Sequence, residues 1–119
     1  MRIEINPFAL QHSITPDEIR TVTSSPSARY RVESPTNPDK VLIRSIGRIG
    51  NEPWIETLAE EYEYGELLHV FHSMILRYTV STEAYHATGG AFDEIEDAPQ
   101  RPIVRPQYTS ETTPPEEGK

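Results

Sequence analysis

The densest apolar run in the chain is residues 66–77, ELLHVFHSMILR, and it carries two histidines. Read as a strand, it alternates Leu68, Val70, His72, Met74 and Leu76 against Leu67, His69, Phe71, Ser73 and Ile75. Both sides are largely apolar. Such a strand belongs inside a sheet, with packing on each face or with one face lining a pocket. Shorter strand candidates precede it: residues 2–5 (RIEI) and 28–33 (ARYRVE), which alternate, and residues 40–46 (KVLIRSI) and 54–60. Two helical signals separate the first from the rest. Asn6-Pro7 is an N-cap followed by a first-turn proline, and Ile14-Thr15-Pro16-Asp17-Glu18-Ile19 combines a capping box with a hydrophobic staple. Residues 81–86 offer a final cap and two helical turns before Gly89-Gly90 breaks the pattern.

The order β-α-α-β-β-β-β-α, with short links among the later strands, predicts an α+β domain. Its antiparallel sheet of about four strands carries the N-terminal helices on one face and a short C-terminal helix. The domain spans residues 1–87. Residues 88–119 carry Pro99, Pro102, Pro106, Pro114 and Pro115 among many acids, the composition of a disordered tail.

Charge narrows the functional classes. The chain of 119 residues has a formal charge of −8, divided equally at residue 87. It therefore exerts no general pull on nucleic acid, and RNA binding requires a local basic cluster. The absence of cysteine excludes a disulfide scaffold, a thiolate nucleophile and cysteine-based metal sites, and it fits a reducing cytoplasm. No apolar run reaches the length of a signal peptide or a membrane span, so no membrane association is expected. Gly47-Arg48-Ile49-Gly50 lacks the setting and the lysine of a phosphate loop, and no cofactor is expected.

Acid–base cleavage of RNA needs a group that titrates near neutrality and a fixed cation beside the phosphate. His69 or His72, with Arg44, Arg48 or Arg77, supplies both. A spacing of three on a strand points the two histidines to opposite faces. At most one then belongs to a site, and shared metal ligation by the pair is disfavoured. A core histidine with one hydrogen bond is the commoner outcome for His72, and a solvated strand face is the commoner outcome for Arg29 and Arg31. Glu60, Glu61, Glu63 and Glu66 read as solvated loop acids.

Four segments in order resemble the BrnT-type toxins of bacterial toxin–antitoxin systems, whose fold is similar to the RelE-like ribonucleases. They are ALQHSIT followed by Glu18-Ile19, then KVLIRSIGR, then Trp54-Ile55-Glu56, and finally VFHSMILR. The resemblance covers residues 2–86 and implies a sequence-tolerant endoribonuclease neutralised by an antitoxin-like protein. Arg48 and Arg77 then stand at phosphate-contacting positions, His72 takes the place of the motif histidine, and His12 that of a structural histidine at the helix junction. Ser13 replaces the family's glycine, which implies a different turn there. The competing expectation is a non-catalytic interaction module that holds a partner on the sheet edge or face. A smaller idea makes residues 93–117 an intramolecular cover for a basic face.

Overall fold

The computed structural model describes residues 1–94. The first alternation forms strand β1 (Arg2–Ile5). Pro7 has no N–H to continue a ladder, and the Asn6 side chain accepts from the Phe8 amide at 2.9 Å, so the chain turns into a 3₁₀ turn, Pro7–Leu10. Helix α1 (Pro16–Ser24) then starts on the expected capping box. Thr15 Oγ1 accepts from the Glu18 amide at 3.2 Å, and Glu18 Oε1 accepts from the Thr15 amide at 2.9 Å.

Four strands follow: β2 (Ala28–Glu33), β3 (Val41–Gly47), β4 (Ile55–Tyr62) and β5 (Leu67–Ile75). The acidic continuation after residue 60 stays in β4 through Tyr62, and the link to β5 is a tight turn with Tyr64 and Gly65 in left-handed backbone (φ 56 and 91). Helix α2 (Tyr78–Ala87) begins earlier than the cap at Ser81 suggests, directly after Arg77.

The sheet order is β1-β5-β4-β3-β2. Strands β2 to β5 form an antiparallel meander, whereas β1 pairs with β5 in parallel, from Arg2 opposite Leu67 to Ile5 opposite Val70. The sheet is therefore five-stranded and mixed rather than an antiparallel sheet of about four. No hairpin joins β1 to β5, so nothing local dictates antiparallel pairing. The docking of Ile3 and Ile5 against the core sets its direction instead. Strand β5 is interior as its two apolar sides require, but the middle position belongs to β4.

Helix α1 and the 3₁₀ turn cover one face of the sheet. There Ala9, Ile14, Ile19 and Val22 pack on Ile43, Ile55, Ala59, Leu68, Val70 and Ile75. Helix α2 covers only one end of the opposite face, where Val80 and Ala84 join Ile46, Trp54, Leu76 and Phe92. The remainder of that face is left for a site. Phe92 meets Trp54 edge-on at 5.3 Å, and the Trp54 indole N–H donates to Glu94 at 3.1 Å, so packing continues past residue 87. The tail expected beyond that point falls, from residue 95 on, outside the described residues. Among the described residues no helix is long and apolar enough to cross a membrane.

Ser13 sits at φ 65, the left-handed region that favours glycine, and its buried hydroxyl has no hydrogen-bond partner among the described residues. Ser13→Gly should remove both costs and raise stability by about 1 kcal/mol, measured as a higher urea midpoint at unchanged slope. Thr15→Ala should lower it by about 1 kcal/mol through loss of the capping box.

Candidate functional site

The site arises from one irregularity in β5. Ala59 pairs with Val70 but Leu58 pairs with His72, so Phe71 is an extra residue, a β-bulge. The strict alternation expected for this strand breaks there. Leu68, Val70, Ser73 and Ile75 point into the α1 core, while His69 and His72 both fall on the opposite face. The expectation that the histidines point to opposite faces is corrected by that single inserted residue. The shared face does not unite them. His69 Nε2 lies 3.2 Å from Asn6 Nδ2 and its Nδ1 lies 3.5 Å from Glu4, whereas His72 is held by Glu56.

After the bulge, strand register aligns four side chains across the sheet. Tyr30 is opposite Arg44, Arg44 opposite Leu58, and Leu58 opposite His72. Glu56 projects from β4 on the same face and is fully buried. A buried carboxylate is costly unless its oxygens are saturated with donors, and Glu56 is saturated. His72 Nε2 lies 2.9 Å from Oε1, Arg77 Nη2 donates to Oε1 at 2.6 Å, and the Arg77 amide donates to Oε2 at 2.9 Å. Arg44 Nη1 lies 3.6 Å away as a second cation. Burial, the largest single influence, pushes the Glu56 carboxyl up. The hydrogen bonds from His72 and Arg77 outweigh it and hold the group below the usual glutamate range. A carboxylate only accepts, so His72 carries its proton on Nε2 and leaves Nδ1 as the free basic nitrogen.

Helix α2 completes the cluster with Glu83, whose Oε1 accepts from Arg44 Nε at 3.0 Å and from the Tyr30 hydroxyl at 2.7 Å. Burial and that bond to Glu83 push the Tyr30 hydroxyl far above its ordinary value, so it remains a neutral donor. The two glutamates and two arginines of the cluster cancel.

Above this cluster lies an open groove of about 440 Å³, lined by Phe8, Gln11, Arg44, Leu58, Phe71, His72 and Arg77. The Arg77 side chain is about half exposed at 46 %, His72 is 20 % exposed, and Arg44 at 7 % forms the floor. Arg44 Nη1 is buried without a hydrogen bond among the described residues. The structure thus brings together Arg44, His72 and Arg77 of the expected set. It places Arg48 elsewhere, with its guanidinium 4.4 Å above the Trp54 ring, and His69 outside the groove lining. Among the described residues no group of three or more His, Asp or Glu is placed to hold a metal.

Glu56, Glu83 and Tyr30 escape a reading of residue types. A glutamate between Ile55 and Thr57, at a position alternating with core residues, was the available signal. Its partners come from two other strands and a loop, and only register shows them. No family model, curated protein or solved structure matches the chain.

Removing Glu56 leaves Arg77 without its hydrogen-bonded counter-charge and Arg44 with Glu83 alone. Glu56→Ala should cost about 3–5 kcal/mol in urea unfolding. Because the folded-state value of Glu56 is depressed, its contribution is present above the ordinary value of about 4.3 and is lost as pH falls through the folded value. Stability measured from pH 7 down to pH 3 should therefore fall in the acid range, and Glu56→Gln should flatten that fall.

Proposed function

We propose that the groove is a phosphodiester-cleaving site for RNA and that the domain acts as a BrnT-like, RelE-like toxin-type endoribonuclease. The observation that carries this reading is the placement of His72 between a buried carboxylate and the exposed Arg77 at the edge of an open groove. The lining holds a base and cations but no serine, threonine or cysteine to serve as nucleophile. RNA brings its own nucleophile in the 2′-hydroxyl, so a site of this composition suits internal transphosphorylation better than attack by a protein side chain.

In that reaction His72 Nδ1 accepts the 2′-hydroxyl proton. Glu56 fixes the tautomer and stabilises the imidazolium that results. Arg77 faces the non-bridging phosphate oxygens as charge builds on them, and Arg44, below the surface, contributes through its field. The balanced charge of the cluster predicts weak binding to the backbone, so an open groove with local contacts suits a sequence-tolerant enzyme. An antitoxin-like protein would neutralise such a domain by covering the groove.

A second reading, a non-catalytic interaction module of the same fold, is favoured by Phe8, which lines the groove yet is 70 % exposed, as an anchor for a protein partner would be.

Purified protein should cleave a fluorogenic RNA oligonucleotide and leave 2′,3′-cyclic phosphate ends. His72→Ala should lower the rate about 10²- to 10⁴-fold. Arg77→Lys should reduce it by about 10²-fold, because the fork on Glu56 and phosphate is lost while the charge remains. Wild-type protein that leaves RNA intact between pH 5 and 9 would favour the interaction module instead, and a fully active His72→Ala variant would take His72 out of the chemistry.

A further inference from the structure

Transphosphorylation requires two proton transfers on opposite sides of phosphorus, and His72 supplies only one of them. The 5′-oxygen leaves as an unfavourable alkoxide unless a second group protonates it. His12, in the loop between the 3₁₀ turn and α1, is exposed, and its ring centroid is 6.0 Å from that of His72 with the planes at 68°. Its imidazole makes no hydrogen bond within the described residues. A histidine that caps or orients a helix junction would hold a backbone carbonyl or a side-chain oxygen, and His12 holds neither. Neighbouring Gln11 lines the groove, which puts this loop at the edge where a scissile phosphate would lie.

We propose that His12 is the general acid of the RNA-cleaving site and forms an acid–base pair with His72. This inference rests on the function proposed above. His72 Nδ1 takes the proton from the 2′-hydroxyl, the 2′-oxygen bonds to phosphorus, and the P–O5′ bond breaks. The electron pair leaves with O5′, which takes its proton from His12. The products are a 2′,3′-cyclic phosphate and a free 5′-hydroxyl, and exchange with water returns both histidines to their starting states. The division of labour follows from the neighbours. His72 is faced by Glu56 from β4, by Arg44 from β3 and by Arg77 beyond β5, with the carboxylate in direct contact to stabilise the proton it gains. His12 has no carboxylate contact among the described residues and faces His72 across 6.0 Å, which places its ring on the leaving-group side of a phosphate held between them.

Two substrates separate this inference from the reading on which it rests. One is an RNA dinucleotide, whose leaving alkoxide needs protonation; the other is a nucleoside 3′-nitrophenyl phosphate, whose nitrophenolate departs without it. Wild-type protein should cleave both, with a bell-shaped pH profile on the dinucleotide. His12→Ala should lower dinucleotide cleavage about 10²- to 10³-fold, abolish the alkaline limb of the profile and leave nitrophenyl ester cleavage near the wild-type rate. Its thermal midpoint should be unchanged, since the ring has no hydrogen bond to lose. Equal loss on both substrates, or no loss on either, would overturn the role of His12 while leaving the site reading intact. Wild-type protein inactive on both substrates would overturn the two together.

Discussion

The interaction on which this fold's open face depends is the burial of Glu56. A carboxylate with no solvent access is tolerated only because three chain segments converge on it with positive charge and hydrogen bonds: β3 through Arg44, β5 through His72, and the β5–α2 junction through Arg77. The Arg77 amide and guanidinium both bind it, so the carboxylate also fixes the point where the strand ends and α2 begins. Glu83 then ties the helix back to Arg44 and Tyr30. A polar cluster therefore fixes the helix on a face where apolar packing reaches only one end.

This arrangement divides the molecule by chemistry. The face under α1 is a conventional apolar core built from alternate positions of β1, β3, β4 and β5. The other face packs an apolar cluster near Trp54 and α2, and beside it carries the ions of the groove among Leu58 and Phe71. Of the groove's two arginines, Arg77 is the exposed one, because Arg44 is buried against two glutamates; Arg48 lies over Trp54. A domain with acidic composition can thus present a local cationic spot without presenting a basic surface. That distinction makes its net charge compatible with the phosphate chemistry proposed above.

The bulge at Phe71 connects the two faces. By inserting one residue opposite the Leu58–Ala59 step, it turns His72 toward the groove while Ser73 and Ile75 still reach the core. Ser73 donates to the Ala9 carbonyl at 2.6 Å and holds the 3₁₀ turn beside β5, where β1 would otherwise have continued. The same turn carries Phe8 to the groove and leads to Gln11 and His12. The end of β1 at Pro7 and the bulge in β5 are therefore parts of one local solution that brings a loop against a strand.

The sequence by itself determined the elements whose causes are local. The capping box at Thr15 and Glu18, the Asn6 cap with its first-turn proline, the alternation in β1 and β2 and the two-sided apolarity of β5 each act over a few residues, and each appears in the structure. It also brought Arg44, Arg48, His69, His72 and Arg77 forward as candidates by residue type, without separating those that meet from those that do not. Only the tertiary structure decided which of the candidates meet. Parallel pairing of β1, the bulge that returned His69 and His72 to one face, the burial of Glu56 and the approach of His12 to His72 depend on register between segments far apart in the chain. A one-residue shift in register reverses every side chain in a strand, so side-chain direction beyond such a point is settled by packing, not by local pattern.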